Sequence, residues 1–295
     1  MRRGNRMKHA EEWAMRLLLL ACALTAVACL LLIAAYLILA GIPAVREIGL
    51  GNFLFGRTWA PGNLTEPQFG ILPMLLATAC GAAGAIVLGV PLGLLTALFL
   101  AKAAPKWLAA AVRELVGLLA GIPSVVCGLV GMCVLTPWLR ERMDLPAGDT
   151  LLAAVLVLAV MILPGVVSVS ETALAAVPEA YEEASLALGA TGTETWFRVS
   201  LPAAGSGVAA AVVLGTGRAM GEAMAVLMVA GNVPNMPSLL SGVRFLTTGI
   251  AMELGYAPAG SLQRQALFSI GLVLFGVVIA INILLDLALK GGRRT

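Results

Sequence analysis

The sequence predicts an all-α polytopic membrane bundle of about six transmembrane helices, and three observations carry that expectation. The 295-residue chain is 60% hydrophobic and 12% charged, with a mean hydropathy of +0.97, a balance that soluble domains do not show. Six apolar runs are each long enough, at about 20 residues, to cross a hydrocarbon core as helices. Lys and Arg cluster in alternate connections between those runs, the asymmetry that orients membrane helices. A bundle of this length reads as a single domain, 1–295.

The first run, 17–40, follows a basic flank of Arg2, Arg3, Arg6, Lys8 and Arg16. The layout is that of a signal peptide. The apolar run is too long for a cleaved core, however, and Gly41-Ile42-Pro43 stands where a small-residue cleavage site would lie, so a retained helix is expected. The next runs, 71–101, 114–138 and 150–170, contain Pro91, Pro123 and Pro164. Kinks are expected there, tolerated where neighbouring helices satisfy the freed backbone. The last two runs are 206–231 and 266–289, and 71–289 is the expected core. The pairs Gly89/Gly93, Gly117/Gly121 and Gly217/Gly221 have the spacing of close helix contacts.

Twelve of the nineteen basic residues fall on the side of the two termini, six on the other side, and Arg218 lies inside a run. That bias places both termini in the cytoplasm. The five cysteines, Cys22, Cys29, Cys80, Cys127 and Cys133, all sit in apolar runs and are expected as small core residues without disulfides. His9, the only histidine, lies in the N-terminal tail; no metal site and no cofactor are expected.

Arg218 and Glu222 interrupt the fifth run. Charges at such depth are costly and mark transport pathways or gates. On a continuous helix, Glu222 would share a face with Arg218, about 6 Å along the axis. An Arg fork suits an oxyanion because it stays charged and matches the planar geometry. Two readings stand side by side: a pathway for an anion, and an ion pair that neutralises itself inside the bundle.

Between the fourth and fifth runs lies a polar segment, about 171–205. Pro178 is placed to open a helix, Ala, Glu and Leu propagate it, and Gly189 is placed to end it in a left-handed turn. Thr193 is the expected cap of a second short helix. Glu179, Glu182, Glu183 and Glu194 face a single Arg198, an acidic loop on the basic side of the membrane. A solvated loop and a docking element for a partner both fit this charge.

Glu183-Ala184-Ser185, three residues, Gly189, nine residues, then Val199-x-Leu201-Pro202 resembles the EAA signature of binding-protein-dependent ABC-importer permeases. Ser185 replaces the second alanine and Val199 the usual isoleucine. The resemblance implies a type I importer core and a coupling helix seated in a groove of an ATPase subunit. The docking residues it implies are Glu182, Glu183, Ala184, Ser185, Gly189, Leu201 and Pro202. Gly217-Arg218-Ala219-Met220-Gly221-Glu222-Ala223-Met224-Ala225-Val226, with Gly231-Asn232 beyond, resembles the fifth span of the PstC family of phosphate-importer permeases. Ala223 stands where that family has Thr. Trp59-x-Pro61, Phe69-Gly70-Ile71-Leu72-Pro73, Thr78, and Ile122-Pro123-Ser124-Val125-Val126-x-Gly128 extend the likeness.

This second resemblance implies a phosphate permease of the bacterial cytoplasmic membrane, with Arg218 and Glu222 on the pathway. Its implied partners are a PstA-like permease in a heterodimer, a PstB-like ATPase dimer and a PstS-like periplasmic phosphate-binding protein. No G-x-x-x-x-G-K-[ST] loop occurs in the chain, so ATP hydrolysis is expected in a partner and the chain itself is not an enzyme. The alternatives are a permease for another oxyanion, such as sulfate or molybdate, and a stand-alone secondary transporter. Smaller expectations are a helix within 232–265, Ser124, Ser168 and Ser170 bonding to helix backbones in preference to lining the cavity, and Arg57, Arg140 and Arg142 as surface charge or contacts for a binding protein.

Overall fold

A backbone in hydrocarbon must satisfy its own hydrogen bonds, so helices are the economical solution. The computed structural model describes residues 2–63 and 65–291. Helix α1 (Arg2–Ile48) and the short α2 (Leu50–Phe55) lead into an antiparallel hairpin of β1 (Trp59–Ala60) and β2 (Gln68–Phe69), with Trp59 opposite Phe69. Helix α3 (Leu72–Leu98) ends in a π-helical turn, Phe99–Ala103, and α4 (Lys106–Gly121) comes next. Then come α5 (Ser124–Val130), a second π turn at Gly131–Leu135, α6 (Thr136–Arg142) and α7 (Leu151–Ala175). An arm of α8 (Glu179–Ala187), α9 (Gly192–Thr195), a third π turn at Trp196–Ser200 and α10 (Leu201–Ala203) connects to α11 (Gly205–Gly221). The chain closes with α12 (Met224–Val229), α13 (Leu246–Glu253) and α14 (Leu262–Gly291).

Five helical segments are long and apolar enough to cross a membrane: Met15–Ile48, Leu72–Ala103, Ser124–Arg142, Leu151–Ala175 and Leu262–Leu285. A bent pair, Gly192–Ala203 with Gly205–Gly221 at 71°, makes a sixth candidate. Helix α7 is the most buried of these spans, with α3 and α11 packed along it. Their contact forms the main core, including Ala85, Leu158, Ile162, Ala219 and Met220. A second cluster, with Phe53, Trp59, Ile71, Met74 and Leu267, sits under the hairpin. A third, with Ala97, Leu98, Leu174 and Ala204, sits under the arm. Helix α1 leans on α14, where the Ser269 hydroxyl donates to the Gly41 carbonyl at 2.7 Å and Tyr36 meets Phe268 edge to face.

Several expectations change. The run 114–138 is not one span. Pro123 lacks an N–H, and Ile122 before it is extended at φ −70°, ψ 125°, as a residue preceding proline prefers. The break leaves α4 as a separate helix laid on α7 through Ala109, Val112 and Val116, with Arg113 Nε donating to Glu171 at 2.6 Å. Four cysteines are exposed on the surface of the chain and only Cys127 is partly covered, so they are not core residues; a thiol is apolar enough to face either lipid or protein. The second arm helix is capped by Thr191 rather than Thr193. The tail residues Arg293 and Arg294 lie outside the described residues.

The glycine pairs separate into two kinds. A Cβ on Gly89 would lie 2.7 Å from Ile162 Cδ1 and 3.0 Å from the Ala159 carbonyl oxygen, and Gly93 meets Val166 as closely. Gly117, Gly121, Gly217 and Gly221 meet nothing within 4 Å. Only the pair on α3 therefore lets two backbones of this chain approach, against α7. Gly89→Leu is expected to destabilise the protein by about 1–3 kcal/mol through overpacking, read as a lower melting midpoint in detergent. Gly117→Leu, into open space, is the comparison that should melt as the parent does.

Candidate functional site

The fifth apolar run is broken where its charges lie. Helix α11 ends at Gly221, Glu222 is extended at φ −71°, ψ 125°, and α12 begins at Met224. Arg218 thus occupies the last turn of α11, where a cation complements the negative end of the helix dipole. Glu222 sits before α12, and its Oε1 accepts the Ala225 N–H at 3.1 Å, satisfying one of the donors a helix start leaves free. The two charges therefore do not share one helical face. Among the described residues, no ion pair or hydrogen bond joins Arg218 to Glu222 or to any other group. The buried side of α11 presents Ala211, Gly215, Thr216, Ala219 and Met220 to the core, while Ala210, Leu214 and Arg218 line its exposed side.

The break is held by α13, the helix expected within 232–265. Thr247 Oγ1 donates to the Glu222 carbonyl at 2.8 Å. The Leu246 N–H donates to Thr78 Oγ1 on α3 at 3.0 Å, and Thr248 Oγ1 accepts the Phe245 N–H at 3.0 Å. At the other end of α13, Glu253 collects three partners. Trp59 Nε1 donates to it at 3.0 Å, Arg244 Nη1 at 2.7 Å and Gln263 Nε2 at 3.2 Å. Arg244 also donates through Nε to the Asn232 carbonyl at 2.9 Å. Hairpin, loop, α13 and α14 meet on one carboxylate. Sequence reasoning placed a helix here and missed these residues, since nothing local ties Thr247 to Glu222 or Trp59 to Glu253.

The arm is built as a helix–glycine–helix. Pro178 is the residue just before α8 rather than inside it. Gly189 adopts φ +89°, the left-handed turn that favours glycine. Thr191 and Glu194 form a reciprocal capping box at the start of α9. The Thr191 backbone N–H and hydroxyl both donate to Glu194, at 2.9 Å each, and hold its carboxyl below the usual carboxylate range. Within the arm, Ser185 Oγ and Thr195 Oγ1 are hydrogen-bonded at 2.9 Å. Glu182 turns inward to Lys102 at 2.5 Å and accepts the Ser200 hydroxyl at 2.8 Å. Tyr181, Glu183, Ala184, Leu186 and Leu188 are exposed. Leu201 packs into the cluster under the arm, and Pro202 is exposed beside it. The expected docking set therefore divides into an outward group and a group that holds the arm together.

Other expectations fall differently. The Ser124, Ser168 and Ser170 hydroxyls make no hydrogen bond among the described residues, and Ser170 is buried without a partner. Arg57, Arg140 and Arg142 are exposed. An apolar groove of about 680 Å³ runs between α3, α5 and α7, lined by Leu92, Ile122, Val130, Trp138 and Leu163 among others. No cluster of three metal-ligating side chains occurs among the described residues.

Residues 89–291 match the family model of the binding-protein-dependent transport system inner membrane component. The match spans well over half of the chain, and the chain belongs to this family of ABC-transporter permeases. A probable ABC transporter permease, YqgH of Bacillus subtilis, is 37% identical over 272 residues, covering 90% of this chain and 87% of that relative. The phosphate transport system permease protein PstC of Haemophilus influenzae is 32% identical over 308 residues, 97% and 96% of the two chains. PstC 2 of Mycobacterium tuberculosis is 34% identical over 289 residues, 91% and 88%. A chain of the MetNI methionine ABC transporter, in an inward-facing conformation, shares the fold. Its TM-score is 0.56 at 23% identity, covering 75% of this chain and 94% of that one.

Glu253→Ala leaves the half-buried Arg244 and the Trp59 N–H without their acceptor. A loss of about 1–3 kcal/mol is expected, the usual cost of stranded donors, measured as a fall in the melting midpoint of the purified protein. An unchanged midpoint would show that this carboxylate does not hold the elements around it.

Proposed function

We propose that this chain is the PstC-type permease subunit of an ATP-driven importer of inorganic phosphate, working as a single permease domain. The observation that carries the reading is Arg218, exposed and without an ion-pair or hydrogen-bond partner among the described residues, on an otherwise apolar face of α11 at a break in the helix. The several relatives named phosphate permease PstC, at 32–34% identity, support the cargo. An unpaired arginine against hydrocarbon is unfavourable. A second permease lying against this face, with a polar pathway between the two, removes that cost. A PstA-like partner fits that place. In the pathway Arg218 offers a planar, permanently charged fork to an oxyanion. Glu222, held at the start of α12 by the Ala225 N–H, places an acidic group four residues along the chain, which favours release over tight retention.

The basic bias of the connections supports an orientation with the arm and both termini in the cytoplasm, and the hairpin and α13 in the periplasm. The outward face of α8, with Glu183 and Ala184, then meets an ATPase of the PstB type, and the periplasmic surface receives a PstS-like binding protein. The chain carries no phosphate-binding loop for ATP, so the ATPase dimer supplies the energy.

Vesicles holding the full importer test the cargo. Arg218→Ala is expected to lower phosphate uptake by roughly tenfold or more, equivalent to about 1.4 kcal/mol or more. Arg218→Lys should recover only part of the loss, because an ammonium does not form the bidentate contact. Equimolar sulfate should leave uptake unchanged. Competition by sulfate would replace phosphate with a wider oxyanion cargo, and full activity of Arg218→Ala would remove the residue from the pathway.

A further inference from the structure

Glu182 ties α8 to the α3 span through its ion pair with Lys102 at 2.5 Å. Both side chains are mostly covered, at 13% exposure for Lys102 and 19% for Glu182. The same oxygen, Oε1, accepts the hydroxyl of Ser200, a residue buried completely. Lys102 lies in the π turn that ends the α3 span, and Ser200 in the π turn that closes the arm. A π turn takes up an extra residue and redirects the side chains beyond it, and such turns recur at functional positions. Here two of them converge on one carboxylate.

The attachments of α8 give this contact a mechanical consequence. Along the chain α8 joins α7 through Val177-Pro178 and reaches α11 only after Gly189 and the capped α9. The left-handed glycine and the proline-led start are points about which a short helix can rock. A third attachment removes that freedom, and it runs to α3. That span packs on α7 through Gly89 and Gly93, and on its other end Thr78 Oγ1 receives the Leu246 N–H of α13. Helix α13 in turn holds the Glu222 carbonyl. A continuous rigid path therefore runs from α8, through Lys102 and α3, to the break beside Arg218.

We infer that Lys102 is a positioning residue that transmits movement of α8 to the pathway, with Glu182 and Ser200 forming its socket rather than part of the surface that meets the ATPase. The inference rests on the reading of the chain as an ATP-driven permease. It assigns a role to a lysine outside the EAA signature and turns Glu182 from a docking residue into an anchor.

The test uses the assembled importer, with native cysteines replaced and a cysteine in place of Leu214, which is exposed one turn from Arg218. Labelling of that cysteine by a thiol reagent is compared with and without ATP and vanadate, so the readout needs no cargo. In the parent, ATP with vanadate should change the labelling rate by at least about fivefold, the lower end of typical coupling. Lys102→Met and Glu182→Gln should abolish that change while the ATPase still co-purifies. The exchanged pair K102E/E182K should restore it, which ties the effect to the ion pair rather than to either side chain alone. The double variant K102M/E182M leaves no lone half-buried charge, and it decides the matter where a single variant does not assemble. Parent-like labelling in K102M/E182M overturns the linkage, as does an exchanged pair no better than the single variants. A parent whose labelling ignores ATP refutes the ATP-driven pathway and the linkage with it; phosphate uptake, measured separately, judges the cargo.

Discussion

Every backbone group inside the hydrocarbon layer has to find its partner within the protein, and the structure of this permease is organised around the places where its helices cannot supply one. The break at Gly221–Ala223, between α11 and α12, is one of these. Its free groups are met by the Glu222 carboxylate, which caps α12, and by Thr247, which takes the Glu222 carbonyl. Thr247 is in place only because α13 is fixed at one end by Thr78 and at the other by Glu253. A local need for two hydrogen bonds thus reaches across α3, α13, α14 and the hairpin.

The same break changes what the charged pair means. On an unbroken helix, an arginine and a glutamate four residues apart would neutralise one another. Separated by a break, each answers a different helix end: Arg218 the closing turn of α11, Glu222 the opening turn of α12. Glu222 is committed to structure, and the Arg218 side chain is left without a partner among the described residues of this chain. On the proposed pathway reading, an uncommitted cation suits a transient anion site, because tight pairing within the protein would compete with the cargo.

The arm shows a related division of labour. Acidic residues that look alike in sequence have separate tasks: Glu194 closes a capping box with Thr191, Glu182 holds Lys102 and Ser200, and Glu183 faces outward. Glu183, like the exposed Glu179, has no partner among the described residues of this chain. Apolar exposure on the same surface, at Tyr181, Leu186 and Leu188, matches an element that is covered in an assembly.

The sequence by itself determined the class of fold, the approximate spans, the helix–glycine–helix arm and the likeness to importer permeases. These depend on composition, on apolar run length and on local spacing, all of which are properties of the chain in order. Gly189 is an example, since a glycine after a short helix is enough to foresee a left-handed turn. Pro123 already marks a kink in the run 114–138; tertiary structure alone decided that 206–231 breaks at Glu222, that only the α3 glycines of the three pairs pack against another helix of this chain, and which glutamate faces where. A break in an apolar run leaves no mark in hydropathy. A hydrogen bond such as Thr247 to Glu222, or an ion pair such as Lys102 to Glu182, joins residues far apart in the chain and exists only once the helices have packed.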